Sequence, residues 1–151
     1  CSIFAYNSRL DSIQAIVANH LLKKIDYITE SRIKNAAKYD ENLSAIKEIT
    51  IPARSNNIKQ VYHIYVIRAE NREELKVFLN NNGIDAKIHY PVPMHLQPAS
   101  KIYGYKKGDF PVAEKICKQV ISLPVHEFVT DEQIEYVSSK IKEFYNWRLS
   151  S

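Results

Sequence analysis

The stretch Val61–His89, VYHIYVIRAENREELKVFLNNNGIDAKIH, changes hydrophobic period twice. Val61–Arg68 is rich in β-branched and aromatic residues, which predicts a strand. From Asn71 the pattern turns helical. Glu74 makes a cap-like pair with Asn71, Leu75, Phe78 and Leu79 form one apolar face, and Gly83 supplies a stop. Ile84–His89 then predicts a second short strand. Strand, helix, strand in so short a span points to an α/β layer.

The flanks extend that layer. Downstream, Asp109 reads as an N-cap with Pro111 in the first helical turn, and Val112, Ile116 and Val120 face inward. Val120–Leu123 predicts a third strand ended by Pro124. A last helix starts at Thr130, with Gln133 as its capping-box partner. Its stripe is Ile134, Val137, Ile141 and Phe144, and it ends near Trp147. Upstream, Leu10, Ile13, Val17, Leu21, Ile25 and Ile28 recur at three- and four-residue steps, with Ser8 as N-cap and Asp11 at the third position. Ile33, Ala36, Ala37, Tyr39 and Leu43 continue this stripe to about residue 43. A helix of that length reaches roughly 50 Å, longer than a small domain is wide. It predicts a helix, or a bent pair, that bridges two bodies. A coiled-coil arm is the alternative, but no steady heptad is kept up.

Composition sets the outer bounds. The 151 residues, 45% apolar and 25% charged, fit one globular domain. A net charge of +4 is too small to demand nucleic acid as partner. The longest nearly apolar run, Val61–Ile67, is broken by His63 and falls far short of the roughly 20 residues a membrane span needs. No secretory signal is visible. Cys1 and Cys117 make no disulfide framework, and the start at Cys rather than Met suggests a fragment or a processed piece.

Two segments rise above this background as chemistry. Tyr6-Asn7-Ser8-Arg9-Leu10-Asp11 opens the long helix, where free N–H groups and the dipole attract phosphate. Asn7 adds an amide donor and Arg9 a charged fork, although plain capping plus a surface Arg explains the same residues. Ile88–Pro98, IHYPVPMHLQP, runs from the end of the second predicted strand into a Pro- and Gly-rich loop between Tyr90 and Phe110. Rigid loops holding imidazoles, a phenol and an amide often line sites, and packing is the competing explanation. His89 and His95 lack further ligands at metal-binding spacing. Cys117 reads as a mid-helix hydrophobe rather than a nucleophile. Lys101, Lys106 and Lys107 around Tyr103 and Tyr105 read as a solvated loop more readily than as a nucleic-acid surface.

Taken together, NSRLDSIQA (Asn7–Ala15), VYHIYVIR (Val61–Arg68), IHYPVPMHLQPA (Ile88–Ala99), GYKKGDFPVAEKI (Gly104–Ile116) and ISLPVHEFVTDEQIEYV (Ile121–Val137) carry a resemblance. In order and spacing the chain resembles the C-terminal part of the DegT/DnrJ/EryC1/StrS family. These are pyridoxal-phosphate-dependent nucleotide-sugar aminotransferases of the aspartate-aminotransferase fold.

The resemblance implies a division at residue 50. Residues 1–50 are then the end of a large domain and a long connecting helix, and 51–151 a small C-terminal α/β domain with a three-stranded sheet. It implies that Asn7 reaches the cofactor phosphate of the partner subunit in a homodimer whose site is shared. Arg9, His89 and Tyr90 are then placed near the sugar nucleotide, with His95 a weaker candidate that orients the loop. The implied cofactor is pyridoxal 5'-phosphate, and the implied substrates are a nucleotide-linked keto-deoxysugar and an amino-acid donor, glutamate by analogy. A cytoplasmic enzyme with neither nucleic acid nor membrane as partner follows by the same analogy. The Schiff-base lysine lies upstream of the matched segment, so the fragment alone is expected to be inactive. A sugar dehydratase of the same family, which keeps His in place of that lysine, is the first alternative. A free-standing α/β module that binds a nucleotide or nucleic acid is the second.

Overall fold

The computed structural model describes residues 10–149. Ser8 therefore lies outside the described residues, and the first helix is capped by Asp11 instead, whose N–H donates to Gln14 Oε1 at 3.0 Å. That helix, α1 (Ser12–Leu22), is followed after two residues by α2 (Ile25–Leu43). The predicted long helix is thus a bent pair. The break falls at Lys23-Lys24, where Lys24 leaves the helical region at φ −118° and ψ 7°.

Three strands follow as β1 (Ile49–Thr50), β2 (Tyr65–Ala69) and β3 (Val120–Leu123), with α3 (Arg72–Asn81), α4 (Pro111–Cys117) and α5 (Asp131–Leu149) between and after them. Two tight helical turns, Met94–Leu96 and Pro98–Tyr103, shape the loop before α4. The sheet is antiparallel in the order β1-β2-β3, with Ile49 opposite Ala69 and Ile67 opposite Ile121.

The α/β class and the count of three strands stand, but one strand is not the one expected. Ile84–His89 touches the sheet only through Lys87 and Ser122. Its Ala86 amide is satisfied locally, by Ile84 O at 2.8 Å and Asn80 Oδ1 at 3.1 Å, so it is withdrawn from a ladder. Ile49–Thr50 takes the third place. The strand expected over Val61–Arg68 starts only at Tyr65, because Tyr62 turns to φ 48° and Arg32 draws the carbonyls of Tyr62 and His63 onto its Nη1 at 3.3 and 3.0 Å.

The core lies where α2, α3 and α5 pack on the sheet. Tyr39, Leu43, Tyr65, Ile67, Leu75, Leu79, Ile121, Ile134 and Ile141 are all wholly enclosed. Each such side chain contributes about 1.5–3 kcal/mol of burial. Gly83 ends α3 in the left-handed region at φ 76°, as its position predicts. The Thr130–Gln133 box caps α5 reciprocally, at 2.9 and 3.3 Å. α4 departs from expectation. Asp109 is spent on the Lys106 amide at 2.9 Å and Phe110 precedes the helix, while Val112 is exposed because this short helix packs through Glu114, Ile116 and Cys117. α1 buries none of its residues: Ile13, Ile16, Val17 and Leu22 are each more than half exposed.

Candidate functional site

A cleft of about 600 Å³ opens between the end of β3, the N-terminal turns of α5 and the α3–Lys87 connection. Three histidines, His63, His89 and His126, line it together with Arg32, Tyr39 and Ser122. His89 reaches it for a reason of register. Lys87 and Ser122 exchange both backbone hydrogen bonds, at 2.7 and 3.1 Å. His89, two residues on, stands diagonally beside Ser122 on the same face. Its Nδ1 lies 3.0 Å from Ser122 Oγ.

Arg32 forms the opposite wall. Its guanidinium bonds the Tyr62 and His63 carbonyls and the Glu127 carboxylate at 3.2 Å, while Nε stays buried without a partner among the described residues. The backbone amide of Glu127 and the facing Arg32 hold that carboxyl below its ordinary range. The Tyr39 hydroxyl is also buried and unpaired among the described residues, and burial raises its pKa above that of an ordinary phenol. The arrangement brings three imidazoles and a serine hydroxyl to one cleft beside an arginine whose guanidinium is engaged within the protein.

The other expected residues are dispersed. Tyr90 follows His89 across a cis peptide bond and is 76% exposed, outside the cleft lining. His95 is not among the residues that line the cleft. Its Nε2 meets Glu114 Oε1 at 3.0 Å, its ring packs on Phe110 at 4.8 Å, and its side chain is only 7% exposed. Glu114 also accepts the Gly108 amide at 2.7 Å, and that bond more than any other holds its carboxyl below the usual range. His95 thus ties the loop to α4. Asn7 and Arg9 lie outside the described residues. Among the described residues no group of three or more His, Cys, Asp or Glu side chains could hold a metal. None of their helices is long and apolar enough to cross a membrane.

As site residues, sequence reasoning missed Arg32, Tyr39, His63, Ser122 and His126 in the cleft, and Glu114 in the loop. Ser122 had a signal only in the strand pairing, and Glu114 only in its position on the exposed first turn of α4.

The model of the DegT/DnrJ/EryC1/StrS aminotransferase family matches residues 1–142. The chain belongs to that family. Among relatives of this DegT family chain, a pleiotropic regulatory protein of Geobacillus stearothermophilus is 41% identical over 95% of the chain and 39% of its own length. The dTDP-3-amino-3,4,6-trideoxy-alpha-D-glucose transaminase of Streptomyces venezuelae is 36% identical over 91% of the chain and 36% of its own length. The crystal structure of S. venezuelae DesV in complex with a ketimine intermediate superposes with a TM-score of 0.85 at 36% identity, covering 91% of this chain and 37% of that one. The DegT family chain described here therefore spans less than two fifths of the length of these relatives.

Proposed function

We propose that this chain is the C-terminal part of a pyridoxal-phosphate-dependent aminotransferase that converts a nucleotide-linked keto-deoxysugar to an amino sugar, with glutamate as donor. The observation that carries it is the superposition on DesV at a TM-score of 0.85 and 36% identity, over nine tenths of the chain. The substrate class is a 3-keto or 4-keto hexose linked to dTDP or UDP. Two transaminases among the relatives act on sugars of this kind by name, one carrying dTDP and one UDP.

The described residues do not by themselves fit pyridoxal phosphate. The cleft lysine, Lys87, is an exposed side chain paired with Asp85 at 2.8 Å, so neither the amine nor that carboxylate is held for a cofactor. Asn7, which the family resemblance assigns to the phosphate of the partner's cofactor, precedes the described residues. In this reading the chain supplies the cleft wall with His89, and a loop held by His95, while the Schiff-base lysine comes from a preceding segment. Residues 1–50 end the large domain and connect it, and 51–151 form the small domain. Two subunits complete each site, and the enzyme works in the cytoplasm, where its nucleotide-sugar substrate is made.

The test is turnover by the intact protein, loaded with pyridoxal phosphate and given glutamate and a dTDP- or UDP-linked keto sugar. Stoichiometric 2-oxoglutarate and an aminated sugar are expected. Loss of a sugar oxygen without nitrogen incorporation would replace this reading with the dehydratase. The 151-residue chain alone should form no borohydride-reducible adduct, and a stoichiometric one at a single lysine would refute the upstream placement.

A further inference from the structure

We infer that Ser122 is a positioning residue that fixes the tautomer of His89, so that the imidazole presents Nε2–H to the cleft as a donor for a ligand oxygen. The inference rests on the proposed sugar-binding role of this wall and adds to it the chemical sense of the contact.

The hydroxyl of Ser122 belongs to a residue only 5% exposed, on β3. Its one side-chain partner among the described residues is His89 Nδ1, at 3.0 Å. A buried hydroxyl proton left without an acceptor costs about as much as a lost hydrogen bond. Had Nδ1 carried the proton, Ser122 Oγ would accept and its own hydrogen would have no protein acceptor among the described residues. With Ser122 donating to Nδ1, both groups are satisfied and the neutral ring must carry its proton on Nε2. Nε2 has no partner among the described residues, and the half-buried ring lines the cleft. The geometry is held by backbone, since the paired amides and carbonyls of Lys87 and Ser122 fix the distance between the two side chains.

A ring poised in this way donates to an acceptor oxygen: a keto group, a hydroxyl or a phosphate. It does not begin as a base towards that atom. Discrimination against a ligand lacking the oxygen follows, because the Nε2–H would then be desolvated without a partner.

The experiment is nitrogen NMR of the protein labelled at histidine, at a pH where the imidazoles are neutral, with the His89 signals assigned through His89→Gln. The wild type should show the Nε2–H form of His89. Ser122→Ala should raise the Nδ1–H fraction towards that of free histidine, which itself favours Nε2–H, and Ser122→Thr should keep the wild-type ratio, with unchanged circular dichroism in both. A wild-type Nδ1–H ring, or an Ala variant whose tautomer ratio equals that of the wild type, would overturn the inference. In the intact enzyme, Ser122→Ala should lower kcat/KM for the sugar about 2- to 13-fold, the value of one hydrogen bond, with rescue by Thr and an unchanged half-reaction with glutamate. An equal loss in both half-reactions would also overturn it. If the intact protein fails to aminate any sugar while the tautomer behaves as described, the functional reading falls and the positioning by Ser122 stands.

Discussion

Glu114 and His95 meet at 3.0 Å across the base of the Tyr90–Phe110 loop, and both side chains are nearly enclosed, at 12% and 7% exposure. The same carboxylate receives the Gly108 amide, so one side chain on α4 ties His95, early in the loop, to Gly108 near its end.

The clamp should depend on acid in a defined direction. Its carboxyl is held below the ordinary 4.5, first by the Gly108 amide. A depressed carboxyl stabilises the fold above its unfolded pKa and loses that contribution as pH falls through the lower folded value. The Gly108 amide resonance should therefore titrate with a midpoint below 4.5. Glu114→Ala should remove that titration and speed tryptic cleavage at Lys101, Lys106 or Lys107. A midpoint above 4.5 would contradict the clamp.

Asp40 binds the Arg54 guanidinium through both oxygens, at 2.8 and 2.9 Å, and accepts the Tyr65 hydroxyl at 2.6 Å. Asp40→Ala should strand an arginine stacked on Tyr62 and a phenol in the core, costing about 1–3 kcal/mol in urea unfolding. Tyr65→Phe removes one bond and leaves the ion pair, so about 1 kcal/mol is expected. Equal losses would mean that Arg54 contributes little.

Two isoleucines separate core from bare surface. Ile141 is wholly enclosed and Ile13 is 76% exposed. In the 151-residue chain, Ile141→Ala should cost about 2–5 kcal/mol, and Ile13→Ala should stay within about 0.5 kcal/mol. In the intact protein a larger cost for Ile13→Ala is expected, because the proposed large domain covers α1.

In the dimer proposed above, Asn7→Ala should weaken cofactor retention by about 1–2 kcal/mol, read by equilibrium dialysis. His89→Ala should damage sugar turnover and leave the cofactor spectrum alone. Unchanged cofactor affinity would reduce Asn7 to a structural residue. A collapsed spectrum would move His89 to the cofactor.

What could be read in advance was local. Gly83, the Thr130–Gln133 cap and β3 each declare themselves within four or five residues, and the structure has all three. Ile49–Thr50 could not be found in this way, since two residues become a strand only by pairing with Arg68 and Ala69. The apolar stripe of α1 was legible as a pattern, but its exposure was not, because periodicity does not say what covers a face. His89 was legible through its loop. Ser122 was hidden, because its nearness to His89 is a property of pairing between distant segments.

The bridge between Lys87 and Ser122 has one more consequence, for self-association. β3 is the outer strand, and an unprotected outer strand is a template for pairing with another chain. At the opposite side, β1 is only two residues long and offers little to pair with. On the β3 side the segment leading to His89 lies across the open edge and occupies backbone groups of Ser122. The peptide that delivers the imidazole to the cleft is therefore also the guard against edge-to-edge aggregation. A substitution that loosens it should bare the Ser122 edge and displace His89 from the cleft together.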